Sequence, residues 1–277
     1  MIAPRSAPTS SLPPQRALPH LGLQLYTLRD LAQRDLPDAL RAVADLGYAG
    51  VEFAGLFDHD PADLRALLDR LGLRAVSTMI DLARLHDNLP DSVAEASTLG
   101  CSTIVIPYLP ESQRTPEGYR AAISDMEHFA RELAAAHLRL AYHHHAFEFD
   151  LFAPASMPAR GIDLLQACPI PLEVDVYWAA FGGADPVAFL HANLARTRLV
   201  HLKDMTPPPQ RAFTEIGRGT LDFPAILDLA LARESAVEWL FVEQDANFAR
   251  SSLDSARASL TTLQSLYTQA QERARHA

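Results

Sequence analysis

Residues 172–203 read LEVDVYWAAFGGADPVAFLHANLARTRLVHLK. Two short apolar runs, LEVDVY (172–177) and RLVHLK (198–203), flank a helical pattern that opens on Asp185-Pro186, an N-cap residue followed by the residue best suited to the first helical turn. Strand, helix and strand in that order make a βαβ unit, since parallel neighbours need a crossover rather than a hairpin. Each run is interrupted near its C-terminal end by an ionisable side chain, Asp175 in the first and His201 in the second. Such groups are costly to bury without partners.

The same alternation extends in both directions. Strands are predicted at LGLQLY (21–26), GVEFA (50–54), LRAVST (73–78), STIVIP (102–107), LRLAYH (138–143), 172–177, 198–203 and WLFVEQ (239–244). Between them lie helical patterns at LPDALRAVADLG, DPADLRALLDRLG, DSVAEASTLG, residues 117–137, GIDLLQAC, DPVAFLHANLARTR and DFPAILDLALARES, with a last one from about Leu253. Several stop at Gly, a favoured helix terminator. Eight βα units close into an α/β (β/α)8 TIM barrel, one domain over 21–277 behind a Pro/Ser-rich leader over 1–20 expected to be loosely held. A doubly wound open sheet is the alternative, but no G-x-G-x-x-G follows a first strand.

Composition narrows the function. A length of 277 residues with 48% hydrophobic content suits one large barrel core. A formal net charge of −10 argues against a sequence-independent grip on nucleic acid. The two cysteines, Cys101 and Cys168, sit in apolar segments, so core thiols in a reducing, cytoplasmic compartment are expected. No run is long and uncharged enough to span a membrane.

Barrel enzymes build their sites where strands end. Strand five ends in YHHHAFEF (142–149), strand six carries Asp175, strand seven His201 and strand eight Glu243. Four consecutive strands thus deliver ligand-type side chains to one rim, and a shared cation would satisfy them. With Glu148 from strand five the set is three carboxylates and one imidazole, which suits Mn²⁺, Mg²⁺ or Co²⁺ and also admits Zn²⁺. Asp175 is followed by VYWAAF and no immediate helix is expected there, which argues against a simple capping role. Alternation places His143 and His145 on the cavity face as substrate hydrogen-bonders or supporting groups, and His144 on the outer face beneath a helix. Asp245 reads as the more solvated neighbour of Glu243. Trp178, Phe147, Phe149 and Tyr26 are candidate cavity walls. Nothing suggests NAD, flavin or pyridoxal phosphate.

The runs LGLQLYTLRD, GYAGVEFAG, YHHHAFEF, LEVDVYWAAFGGADP, VHLKDM, EIGRGTLDFPAIL and FVEQDAN, in order over almost all of 21–270, resemble the sugar phosphate isomerase/epimerase family of the xylose-isomerase-like barrel superfamily. The resemblance implies a divalent-metal barrel, often with manganese, in which Glu148, Asp175, His201 and Glu243 are the ligands. Glu148 and Glu243 are then the acid/base pair, Lys203 and Arg218 hold substrate oxygens, and Glu52 bonds a substrate hydroxyl. Where many relatives read His-Asn-His this chain reads His143-His144-His145, and Ser77-Thr78-Met79 stands where many carry a histidine. Either Glu148 or His143 serves as the strand-five ligand.

The expected chemistry is proton abstraction beside the carbonyl of a small carbohydrate or cyclitol, through an enediolate. Two glutamates on opposite faces make isomerisation or epimerisation the first expectation, with loss of a β-hydroxyl, a lyase or dehydratase outcome, as the alternative. A metal-dependent hydrolase fits less well, because it wants more histidines and a basic groove. Barrels of this size often pair, so a homo-oligomer is also expected.

Overall fold

The computed structural model describes residues 17–152 and 159–276, so residues 1–16 of the expected leader lie outside the described residues. The strands are β1 (His20–Gln24), β2 (Gly50–Phe53), β3 (Arg74–Met79), β4 (Thr103–Ile106), β5 (Arg139–His143), β6 (Leu172–Asp175), β7 (Leu199–Leu202), β8 (Asp204–Met205), β9 (Phe213–Thr214) and β10 (Trp239–Val242). Eight of them close a parallel barrel in the order β1-β10-β7-β6-β5-β4-β3-β2. The predicted strands are all present, with ends shifted by at most two residues. The antiparallel pair β8–β9 is an addition that its two-residue strands leave without a periodic signal.

Local sequence explains the helices. Asp35, Asp60, Asp185 and Asp222 each accept backbone N–H bonds at a helix start, with Pro in the first turn. Helices expected to run to Arg198 and Ser235 stop at Asn193 and Leu231, and two further regions depart from expectation. The helix expected from Asp91 begins at Leu82, capped by Asp81, because Asn88 departs from helical dihedrals just before Pro90 and joins two helical pieces across a kink. The run after Asp175 is also helical: strand β6 stops at Asp175, whose Oδ1 accepts the Trp178 N–H at 2.9 Å, and a short helix spans Val176–Phe181. VYWAAF is apolar all round, which hides the helical period, although only Val176, Tyr177 and Ala179 are buried and Phe181 is exposed.

Among the described residues two apolar regions form. The larger lies between strands and helices; the smaller fills the barrel interior with Val76, Val105, Ala141, Leu199, Trp239 and Phe241. Glycines make the second possible. A Cβ on Gly22 would stand 2.6 Å from the Phe241 ring, and one on Gly50 would stand 2.8 Å from Trp239. Above these rings the inward positions become polar. Register sets Asp175 beside His201, His143 beside Glu173 and His201 beside Phe241. No helix among the described residues is long and apolar enough to cross a membrane.

Candidate metal centre

At the C-terminal end of the barrel, His143, Asp175, His201 and Glu243 are buried and offer one ligand atom each within 4.8 Å of one another. Their spacing follows from the strands, whose pleat turns every second residue inward. His143 Nδ1 lies 3.2 Å from the Pro107 carbonyl, which can only accept, so Nδ1 carries a proton there, and Nε2 lies 3.3 Å from Asp175 Oδ2. Asp175 divides its work: Oδ1 caps the helix, and Oδ2 faces His143, Lys203 Nζ at 3.2 Å and His201 Nδ1 at 3.9 Å. Glu243 Oε2 is 2.7 Å from His201 Nδ1 and 2.8 Å from Lys203 Nζ.

Immediately beneath, Glu52 Oε1 is 2.7 Å from His201 Nε2 and accepts from Gln24 Nε2 at 2.6 Å, while its Oε2 accepts from Ser77 Oγ at 2.6 Å. Glu173 is also enclosed, with Oε1 3.3 Å from His201 Nε2.

The carboxyl groups divide by their neighbours. Burial opposes charge on Glu52, yet His201 and Ser77 outweigh it and hold the group below its ordinary value. Burial and the neighbouring Glu52 push Glu173 up to about 8. Burial also opposes charge on Asp175 and Glu243, but Lys203 and the imidazoles hold both well below the usual carboxylate range. Despite burial, the surrounding carboxylates raise His201 and Lys203 far above their ordinary values. Near neutral pH the ionised Glu52, Asp175 and Glu243 therefore outnumber the cations Lys203 and His201, and a surplus negative charge stays inside the barrel.

A divalent cation fits this donor set. The buried His201 Nδ1 and Glu243 Oε2 approach each other without hydrogen-bond alignment, and neither has an aligned hydrogen bond elsewhere among the described residues. An ion between them would satisfy both and would balance the surplus charge, with His201 then neutral.

The other expected residues separate. Glu148 is not brought to the cluster: Tyr142 points outward from β5, and Glu148 Oε1 accepts its hydroxyl at 2.5 Å while Oε2 accepts the His145 N–H at 2.8 Å. Its short 3₁₀ turn (Phe147–Phe149) carries the carboxylate into the layer outside the barrel, where burial pushes it up to about 8. Of the two strand-five alternatives, His143 is the one at the cluster. Phe149 also departs from the cavity wall expected of it, packing outside the barrel against His144 and Phe189. His144 lies outward as the alternation implies, its Nε2 accepting the Asp175 N–H at 3.1 Å.

His145 stands over the cluster, its ring 4.7 Å from that of His143, stacked on Phe147 and 5.2 Å from Trp178. Burial, with His143 and Lys203 beside it, lowers its imidazole to about 2. Trp178 lies beneath Lys203, whose Nζ is 5.3 Å from the ring centroid. Tyr26 is exposed and carries the Arg29 guanidinium at 4.3 Å. Arg218 is not drawn to the cluster; its exposed guanidinium is 3.4 Å from Glu215 Oε2. Glu52 is enclosed below the cluster rather than at a rim.

Asp245, expected in solvent, is mostly enclosed and lies 3.2 Å from Lys203 Nζ; burial pushes it up to about 7 against the pull of that ammonium. Glu173 and Asp245 were not singled out as site groups from sequence. The signal was spacing, since each lies two residues from an inward-facing acid.

The family model described as Xylose isomerase-like TIM barrel matches residues 40–266. Over 258 residues the chain is 30% identical to the rhizopine catabolism protein MocC of Rhizobium meliloti, covering 77% of this chain and 76% of that protein. Over 245 residues it is 29% identical to an inosose dehydratase of Geobacillus kaustophilus (strain HTA426), covering 74% of this chain and 79% of that one. Among solved structures, a sugar phosphate isomerase/epimerase from Parabacteroides distasonis ATCC 8503 superposes with a TM-score of 0.75 at 23% identity, over 92% of this chain and 97% of that one. At that identity the likeness bears on the fold alone.

Proposed function

From the premise that this chain belongs to the xylose isomerase-like TIM barrel family, we propose that it is a divalent-metal-dependent enzyme acting on a cyclitol or sugar ketone. It removes a proton beside the carbonyl and expels a β-hydroxyl as water. His143, Asp175, His201 and Glu243 hold the ion, and their two imidazoles and two carboxylates suit Mn²⁺, Co²⁺ or Zn²⁺. When bound, the ion supplies Lewis-acid polarisation of the substrate oxygens.

The carrying observation is the Glu243–Lys203 pair, a base and a proton donor 2.8 Å apart on one side of the cavity. Glu243 takes the carbon-bound proton; the carbon–oxygen bond to the β-hydroxyl breaks as the double bond forms, and Lys203 protonates the departing hydroxide. Elimination needs only this side. Epimerisation needs a second group that delivers a proton to the other face, and Glu148 is committed outside the barrel. His145 is the remaining candidate, and its ring is packed between Phe147 and Trp178, with burial opposing its charged form. Similarity to an inosose dehydratase supports the same reading. Trp178 and His145 wall the substrate, with Lys203 also contacting its oxygens; for Arg218 a substrate contact would require the side chain to swing from Glu215.

The test is incubation of an inosose and other keto-cyclitols with the Mn²⁺-loaded protein in D₂O, followed by NMR. The expected result is loss of the C–H signal beside the carbonyl together with a dehydrated diketone, both abolished by chelation. Exchange that inverts configuration and retains every hydroxyl would replace elimination with epimerisation. Absence of both across the panel would sink the reading.

A further inference from the structure

Among the described residues, His201 is the side chain shared between the candidate ligands above and the enclosed carboxyls below. Its Nδ1 faces Glu243 and Asp175, and its Nε2 faces Glu52 at 2.7 Å, with Glu173 Oε1 farther off at 3.3 Å. An imidazole that ligates an ion through one nitrogen holds its single proton on the other. Which nitrogen ligates is therefore decided by what faces the second.

Glu52 is built to decide it. The residue is fully enclosed and emerges from β2 at a local shift of register with β3 between Val51 and Glu52. Gln24 and Ser77 donate to its two oxygens, and the Gln24 side-chain oxygen in turn accepts the Tyr26 N–H at 2.9 Å. These three bonds tie the carboxylate to β1 and β3, so it has no freedom to follow a rotating imidazole. The acceptor it presents to Nε2 is fixed, and a fixed acceptor selects the Nε2–H tautomer.

We propose that Glu52 is a positioning residue: it receives the His201 Nε2–H and thereby turns the Nδ1 lone pair toward the divalent ion. This inference rests on the metal reading above and gives Glu52 a task different from contact with substrate. Gln24 and Ser77 act one step further out, holding the carboxylate in place. A carboxylate behind a ligating histidine typically contributes 10- to 100-fold in metal affinity.

The experiment compares wild type, Glu52→Ala and Glu52→Gln as full-length proteins. Mn²⁺ and Co²⁺ affinities are measured by calorimetry and by Co²⁺ visible absorption, and the imidazole N–H signals by ¹⁵N NMR. Glu52→Ala should bind each ion roughly 10- to 100-fold more weakly and lose the slowly exchanging His201 Nε2–H signal. Glu52→Gln keeps an acceptor oxygen and should fall less, and it carries the test if the alanine variant does not fold. Affinities within twofold of wild type for both variants, with the His201 signal unchanged, would overturn the proposal. Failure of the two readings is separable. A wild-type protein that binds neither ion removes the metal reading and the proposal together. A wild type that binds both ions with the His201 proton on Nδ1 removes only the proposal.

Discussion

The barrel interior contains two layers made by the same strands. In the lower layer, Ala141, Leu199 and Phe241 pack with Val76, Val105 and Trp239. Two residues further along, His143, His201 and Glu243 converge with Asp175. Roughly 7 Å of strand, two steps of about 3.3 Å, separates a hydrocarbon plug from a charged cavity. The lower layer buries apolar area and sets the shape of the cylinder; the upper one holds like charges together at a cost that folding alone gives no reason to bear. The division of stability below and chemistry above is thus imposed residue by residue along each strand.

That division can be broken from either side. The largest effect is expected on activity: Glu243→Gln should lower kcat by about 10²- to 10⁴-fold, the range for loss of a positioned acid or base. Its effect on folding should be small. Lys203 keeps Asp175 and Asp245, and the substitution removes the surplus negative charge and leaves no unpaired cation. Phe241→Ala is the reciprocal case. Its ring fills the space that Gly22 vacates and stacks near Trp239, so truncation should destabilise by about 3–5 kcal/mol in chemical denaturation. The folded fraction should still bind metal. If Glu243→Gln melts the protein while Phe241→Ala spares it, the two layers do not have the separate roles assigned here.

The fold was legible because eight apolar runs and their capped helices carry strong local signals; Asp-Pro at helix starts and Gly at their ends punctuate the chain. For Asp175, His201 and Glu243, position near the C-terminal ends of those apolar runs gave the placement as well. That reading failed where the period fails. Beyond His143 the chain leaves the strand and enters a 3₁₀ turn, so no alternation rule connects Glu148 to the cavity, and proximity in YHHHAFEF does not mean proximity in space. Arg218 lies on a loop whose side-chain directions have no periodic signature, and Asp204 clasps that loop from below by accepting the N–H groups of Gly217, Gly219 and Leu221. Glu52 was visible as an acid at a strand end. Its partners Gln24, Ser77 and His201 come from three other strands, and only closure of the barrel brings them together.

Glu148 supplies the smallest and most selective test, because it lies in neither layer but behind β5, bonded to the outward Tyr142. Burial pushes its carboxyl up to about 8, against an ordinary value near 4.5. Between those values the folded chain retains a proton that the unfolded chain has released. Wild-type stability should accordingly fall as pH rises from about 4.5 to about 8 and be insensitive to this group above that, with a limiting slope of about 1.4 kcal/mol per pH unit for one proton. Glu148→Gln fits the same space, its amide oxygen accepting the His145 N–H and its NH₂ donating to the Tyr142 hydroxyl oxygen. Denaturation at about pH 5, 6.5, 8 and 9 should find it close to wild type at the lowest pH and roughly 1–3 kcal/mol more stable at about pH 8. Turnover should be retained to within a few-fold. A loss approaching that of Glu243→Gln would instead return Glu148 to the chemistry, and with it a second proton carrier and an epimerase outcome.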